Sequence, residues 1–292
     1  HQYYDNQIVN GLITGNWFNS VAAQNCDGPI YIRNFIVDGA NTTTTGFGVY
    51  NCNNITLENC GAMRCTTIGF DIKNSNANLR RQAFATRNYD ATDRGSIKTY
   101  GFKITNSDVN FVTDTYTSGV NAKLASHFHD YGIYLDNSVL RGGDILTEPV
   151  MKGHKTFSTE IGLNQTNLYL VNSKYEMDGI TSVYGSYNNI ESYDSSIRVE
   201  QLRNKFAQNI GLLMSNSSFK YNKNLNSSAV GQFSQINVVT GASGANYPIL
   251  FVKNGQHVVL KGGSTYGPTL NNSTLSSIDI TTLYNMEMYV EH

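Results

Sequence analysis

Charge is scarce in this chain. Of its 292 residues only 15% are Asp, Glu, Lys or Arg, and 21 basic side chains nearly cancel 22 acidic ones. A formal net charge of −1 leaves no electrostatic footprint for nucleic acid or for an anionic membrane. No apolar run approaches the roughly 20 residues that a membrane-spanning helix needs. Only four prolines are present, and hardly any stretch reads as an amphipathic helix, which leaves strands as the main element. Gly-x-Ser-x-Gly, a phosphate loop and a dinucleotide fingerprint are all missing, and no motif calls for a cofactor. The N-terminus lacks the basic and then apolar layout of a signal peptide, and the chain opens at His1, as a mature product or a portion of something longer would. The four cysteines, Cys26, Cys52, Cys60 and Cys65, match no zinc spacing; buried free thiols and one or two disulfides both remain open.

What the chain has in abundance is Gly, Asn, Ser, Thr and Tyr, arranged as a repeat. Gly46-Phe47-Gly48-Val49-Tyr50-Asn51-Cys52 returns as Gly69-Phe70-Asp71-Ile72-Lys73-Asn74-Ser75 and as Gly101-Phe102-Lys103-Ile104-Thr105-Asn106-Ser107. Gly132 to Ser138 and Gly211 to Ser217 are further copies; Pro29 to Asn34, Gly162 to Asn167 and Ile249 to Asn254 are weaker ones. The template is Gly, apolar, variable, apolar, variable, Asn, small. Alternation turns one strand face inward and the other outward. The Asn that follows tolerates a left-handed bend, and the same Asn in successive coils can stack into an amide ladder. Steps between these Asn positions run 17, 23, 32, 31, 30, 49 and 38 residues. A minimum near 20 residues with irregular excess describes a solenoid coil that carries insertions.

The pattern predicts an all-β chain in one elongated domain. Residues 1–28, with a strand from Gln7 to Thr14, read as an N-terminal cap; 29–260 as the solenoid; and 261–292 as a strand-like end. Insertions are expected at 76–99, 112–130, 141–160 and 220–247, the first being the most charged. The stretch from Ile197 to Asn209 is the best candidate for a short helix or long loop, and Ser186 to Glu191 resembles a degenerate rung.

Coils of this length, with apolar inner positions and an Asn column, resemble right-handed parallel β-helices of the pectin-lyase-like class. The hydroxyl- and amide-rich surface and irregular insertions look most like a bacteriophage tailspike or another virion tail protein. That resemblance implies an extracellular virion protein, or alternatively a secreted one. It also implies a homotrimer that contacts other tail proteins and binds host surface glycans, and that in some members cleaves them as a depolymerase.

Stacking the copies aligns an outward column through Tyr31, Gly48, Asp71, Lys103, Tyr134, Asn164, Leu213 and Phe251. A second runs through Arg33, Tyr50, Lys73, Thr105, Asp136, Thr166, Ser215 and Lys253. The middle coils therefore present Asp71, Lys103 and Asp136 as candidate catalytic groups. Lys73, Tyr134 and Tyr50 stand as candidate glycan contacts, tyrosine being suited to stacking on sugar rings. Asp71 beside Lys103 also reads as a plain surface ion pair. Two coils at ~4.8 Å and two residues at ~3.3 Å place the backbones of Asp71 and Asp136 ~12 Å apart. Glycoside hydrolysis needs carboxyl groups about 5–9.5 Å apart. His127-Phe128-His129-Asp130 is the one compact ligand-like cluster. On a strand His127 and His129 would share a face and could grip a metal, and the resemblance implies an ion on a trimer axis; two surface histidines are the plainer reading.

Overall fold

A computed structural model describes residues 6–14, 19–87, 97–112, 122–142, 157–183, 185–205, 210–215, 217–221, 232–233, 250–252, 257–262 and 286–291. The chain is an all-β parallel β-helix. Among the described residues a nine-stranded sheet runs from Asn19–Gln24 through Thr45–Tyr50, Ile68–Lys73, Tyr100–Thr105, Tyr131–Asp136, Thr166–Val171, Asn188–Tyr193 and Ile210–Ser215 to Leu250–Val252. Each of these strands pairs in parallel with the corresponding strand one coil away.

The other sheet, of 14 strands, is folded along its length into two faces. Its long strands Ile30–Asp38, Ile55–Met63 and Asn76–Thr86 each turn a corner at one left-handed residue: Asn34 (φ 54°), Asn59 (φ 51°) and Arg81 (φ 61°). In the next two coils that corner is opened. Asp108–Val112 and Val139–Gly142 continue the first face, while Ala122–His127 and Phe157–Gly162 continue the second. Both halves rejoin in Lys174–Val183. A coil is thus three short runs, two on the folded sheet and one on the nine-stranded sheet.

Apolar side chains from all three runs fill the interior. Phe47, Phe70 and Phe102 stack one coil apart with ring centroids 4.7 Å from each other, and Ile133, Leu168 and Ile190 extend that column. Two hydrogen-bond ladders tie the coils at the corner after the nine-stranded sheet. Outside, Asn51 donates its side-chain amide to Asn25 at 2.9 Å, Asn74 to Asn51 at 3.0 Å, Asn106 to Asn74 at 3.2 Å and Asn137 to Asn106 at 2.9 Å. All five are left-handed, as are Asn172 and Asp194 below them. Inside, the backbone N–H of Cys52 donates to Ser75 Oγ; Ser75, Ser107, Ser138, Ser173 and Ser195 each donate likewise to the serine of the next coil, at 2.9–3.1 Å. The Asn and small residue of the repeat are therefore two parallel seams.

Several expectations change. Asn34 stacks with Asn59 on a different corner (2.9 Å), and Asn167 lies fully buried in the core. The rung expected at Gly162 to Asn167 is Thr166–Val171, with Asn172 at the bend. Within the stretch read as an N-terminal cap, Asn6–Thr14 and Asn19–Gln24 pair in register with the strands of the coil that follows. Within or overlapping the expected insertions, 76–86, 122–127 and 157–162 are paired strands, and Ser196–Lys205 is a strand where a short helix or long loop was the expectation. Arg81 explains the first of these differences: one extra residue forms a bulge at the corner and shifts the apolar alternation. In 220–247 only 220–221 and 232–233 are described; Trp17, Phe18, Asn216 and Asn254 lie outside the described residues. Near the end, Met286–Glu291 pairs antiparallel with His257–Gly262 and with Ser218–Tyr221.

Candidate functional site

The outward face of the nine-stranded sheet concentrates the reactive and aromatic side chains. Register fixes one column as Gly48, Asp71, Lys103, Tyr134, Tyr169, Glu191 and Leu213, each one strand from the next. A second column reads Tyr50, Lys73, Thr105, Asp136, Val171 and Tyr193. A third runs through Thr45, Ile68, Tyr100, Tyr131 and Thr166. Asp71 and Lys103 are thus side by side, with Tyr134 next in line. Asp136 lies one column over, between Thr105 and Val171.

Five tyrosines form one contiguous surface here. Tyr100 stacks on Tyr131 (centroids 5.4 Å) and meets Tyr134 edge-on (5.3 Å); Tyr134 stacks on Tyr169 (5.4 Å). Tyr131 meets Tyr134 at 5.6 Å and Tyr169 at 5.1 Å, and Tyr193 closes the series 5.5 Å from Tyr169. All are half-buried, so each keeps part of a ring in solvent. The Lys103 ammonium sits 5.0 Å from the centre of the Tyr100 ring, a cation–π contact at one end of the platform. Burial raises the phenol pKa of Tyr100, Tyr134 and Tyr169, and pushes Tyr131 to about 12. These hydroxyls stay protonated hydrogen-bond donors at neutral pH.

A carboxylate stands at each end. Glu191 is 8% exposed and accepts from Thr166 Oγ1 (2.9 Å), Asn188 Nδ2 (2.8 Å) and Tyr193 OH (3.1 Å). Three donors satisfy its charge, so it anchors the tyrosine end of the strip. At the other end Tyr50 lies over Gly48, where a Cβ would meet its ring at 2.6 Å, and donates its hydroxyl to Asp71 Oδ2 at 3.0 Å. Burial raises the Asp71 pKa; the Tyr50 hydrogen bond and the charges of Lys103 and Lys73 oppose that rise without cancelling it. A desolvated carboxyl of this kind is a recognised mark of functional sites.

The chemistry open to this face follows from spacing. Four strand steps separate Asp71 from Glu191, ~19 Å along the axis. Asp136 is two strands and two residues from either one, ~12 Å between backbones. Neither separation suits a hydrolytic pair. The platform can stack rings along its length and offer phenol donors, with charge confined to its margins.

The histidine cluster is built differently from the expected clamp. Ala122–His127 ends at His127, Phe128 is left-handed (φ 66°), and His129 turns into the interior at 1% exposure. The two imidazoles therefore do not share a strand face. Burial, with the charges of Arg87 and His127, lowers the His129 pKa to about 3, so the ring is neutral. Asp130 accepts from the Thr99 N–H and hydroxyl at 2.9 and 3.1 Å. Among the described residues no group of three or more His, Cys, Asp or Glu is placed to hold a metal ion.

Tyr169, Tyr193 and Glu191 escaped the sequence reading because the rungs at 166 and 188 have Asn in place of the template Gly. Tyr100 and Tyr131 carried a visible signal: each directly precedes a template glycine. In comparisons with family models, curated proteins and solved structures, the chain found no match.

Proposed function

We propose that this chain is a glycan-binding β-helix, which captures extended polysaccharide along the tyrosine platform with the sugar chain parallel to the solenoid axis. The observation that carries the reading is the continuous contact of Tyr100, Tyr131, Tyr134, Tyr169 and Tyr193 on one outward sheet face. Soluble β-structure ordinarily buries such area or uses it for binding, and aromatic faces with phenol donors suit the alternating C–H and O–H surfaces of sugars. The wider setting we propose is a virion tail or tailspike-type protein of pectin-lyase-like kind, working as a homotrimer on host surface glycans. Low charge, an amide- and hydroxyl-rich surface and the solenoid itself support it.

The decisive experiment measures binding of neutral and acidic bacterial capsular and O-antigen polysaccharides to the full chain and to Tyr134→Ala and Tyr169→Ala. Each substitution is expected to weaken binding roughly tenfold, from ~1.4 kcal/mol of lost stacking and area. Tyr187→Ala, off the platform and 52% exposed, should leave affinity unchanged. Equal affinity across all three variants would overturn the reading.

A second reading, depolymerase activity, is favoured by the raised pKa of Asp71 and its Tyr50 donor. Product release from polysaccharide that disappears in Asp71→Asn but persists in Asp136→Asn would establish it.

A further inference from the structure

The inner seam of serines begins with two cysteines. Cys52 occupies the column of Ser75, Ser107, Ser138, Ser173, Ser195 and Ser217, since its N–H donates to Ser75 Oγ as each serine's does to the next. Cys26 holds the same place one coil earlier. Asn25 N–H donates to the Tyr50 carbonyl (2.9 Å) and Asn53 N–H to the Cys26 carbonyl (3.1 Å), bracketing the pair in the register of adjacent parallel strands. The neighbouring Asn25 and Asn51 side chains are bonded at 2.9 Å, which holds the two coils face to face at this corner.

We propose that Cys26 and Cys52 are a disulfide-forming pair, which couples the first coil of the solenoid covalently to the second when the surroundings are oxidising. Adjacent strands lie ~4.8 Å apart, inside the ~4.4–6.8 Å Cα separation that a disulfide spans. Both thiols now donate to carbonyls of their own strands, Cys26 to Gln24 (3.3 Å) and Cys52 to Tyr50 (3.2 Å), and Cys26, after burial, helps to raise the Cys52 thiol pKa. A rotation about each Cα–Cβ bond exchanges the carbonyl contacts for an S–S bond. Cys60 and Cys65 are no competitors: each is buried at a different corner, and burial pushes both thiols up to about 12.

The reaction is thiol–disulfide exchange with a small-molecule disulfide. Cys26, partly exposed, is the entry point. Its thiolate attacks one sulfur of the oxidant, expelling a thiolate and forming a mixed disulfide. Cys52, losing its proton, then attacks Cys26 Sγ and expels the second thiolate. Two protein thiols are oxidised, one disulfide of the reagent is reduced to two thiols, and both protons leave with them.

The test incubates the full chain, natively folded, with oxidised glutathione, then counts free thiols and maps peptides without reduction. The free-thiol count should fall from four to two, with one cross-linked peptide joining Cys26 to Cys52. The oxidised form should also resist thermal opening of the first coil in hydrogen exchange, and added reductant should restore the original rates. In Cys52→Ser, which installs the residue that the seam uses in the following coils, Cys26 should stop at the glutathione adduct. A persistent adduct on Cys26 in the unsubstituted chain, a cross-link to Cys60 or Cys65, or four unreacted thiols would each overturn the proposal.

Discussion

In the four coils from Gly46 to Gly132 the inner corner before the buried Phe47, Phe70, Phe102 or Ile133 is glycine; in the next two, Asn167 and Asn189 hold that position before Leu168 and Ile190. The glycine corners are tight: a Cβ on Gly69 would meet Ala85 Cβ at 2.6 Å and the Gly101 carbonyl at 2.7 Å. Small residues opposite, such as Ala62 and Ala85, let two sheets approach there and leave the interior to Phe47, Phe70 and Phe102. The asparagine corners keep polar atoms inside instead. Asn167 Nδ2 donates to Ser182 Oγ (3.1 Å) and Asn189 Oδ1 (3.2 Å), Asn164 Nδ2 donates to Asn167 Oδ1 (3.1 Å), and Asn189 Nδ2 donates to the Ser182 carbonyl (3.1 Å). The later coils add this amide network to an apolar interior that Leu168, Leu170, Ile180 and Ile190 continue. The same backbone accepts either corner, the buried asparagines being hydrogen-bonded to one another and to Ser182.

That contrast sets a scale of expected damage. Phe70→Ala empties the middle of a three-ring stack and should cost about 3–5 kcal/mol in denaturant unfolding. Asn167→Ala strands donors and acceptors on Asn164, Ser182 and Asn189, and should cost about 1–3 kcal/mol. If Asn167→Ala costs as little as an exposed substitution, the amide network is not what holds the later coils. The third effect is read through pH. His129 lies in the coil between the two regimes, and its backbone N–H donates to Asn164 Oδ1 at 2.9 Å. Its folded pKa, about 3, is below the ordinary 6.5. Below pH 6.5 the unfolded chain therefore binds a proton that the folded chain refuses until about pH 3. Stability is full above 6.5 and falls as pH drops through that window, by at most ~1.4 kcal/mol per unit for one proton. His129→Leu should reduce that slope relative to the parent; an unchanged slope would place the acid sensitivity elsewhere.

The solenoid was legible because period-2 alternation and the Asn bend are local signals, repeated. The copies at Gly46, Gly69, Gly101 and Gly132 fell into their true register, and with them Asp71, Lys103, Tyr134 and Asp136 came to lie on one face; the copy at Gly162 did not. Register failed where a coil satisfied the same geometry with other atoms. Asn167 replaces glycine through hydrogen bonds to residues 15 and 22 positions away, which no local pattern displays. The folded sheet was harder still, because Asn34, Asn59 and Arg81 bend single strands that a linear reading takes for a strand and a loop. His129 was misplaced for a related reason: one left-handed residue, Phe128, cancels the rule that i and i+2 share a face.

Register along the nine-stranded sheet also shows that successive coils consume 23, 32, 31, 35, 22 and 22 residues between Thr45 and Ile210. Contour length and physical length are therefore uncoupled. Each coil advances the molecule by one strand spacing however much chain it contains, and the surplus falls in sequence between the paired strands, for example between Val112 and Ala122 or between Gly142 and Phe157. Such a scaffold behaves as a graduated rod with sockets. New sequence can be grafted at a socket, in a laboratory or over generations, without moving any tyrosine relative to the next.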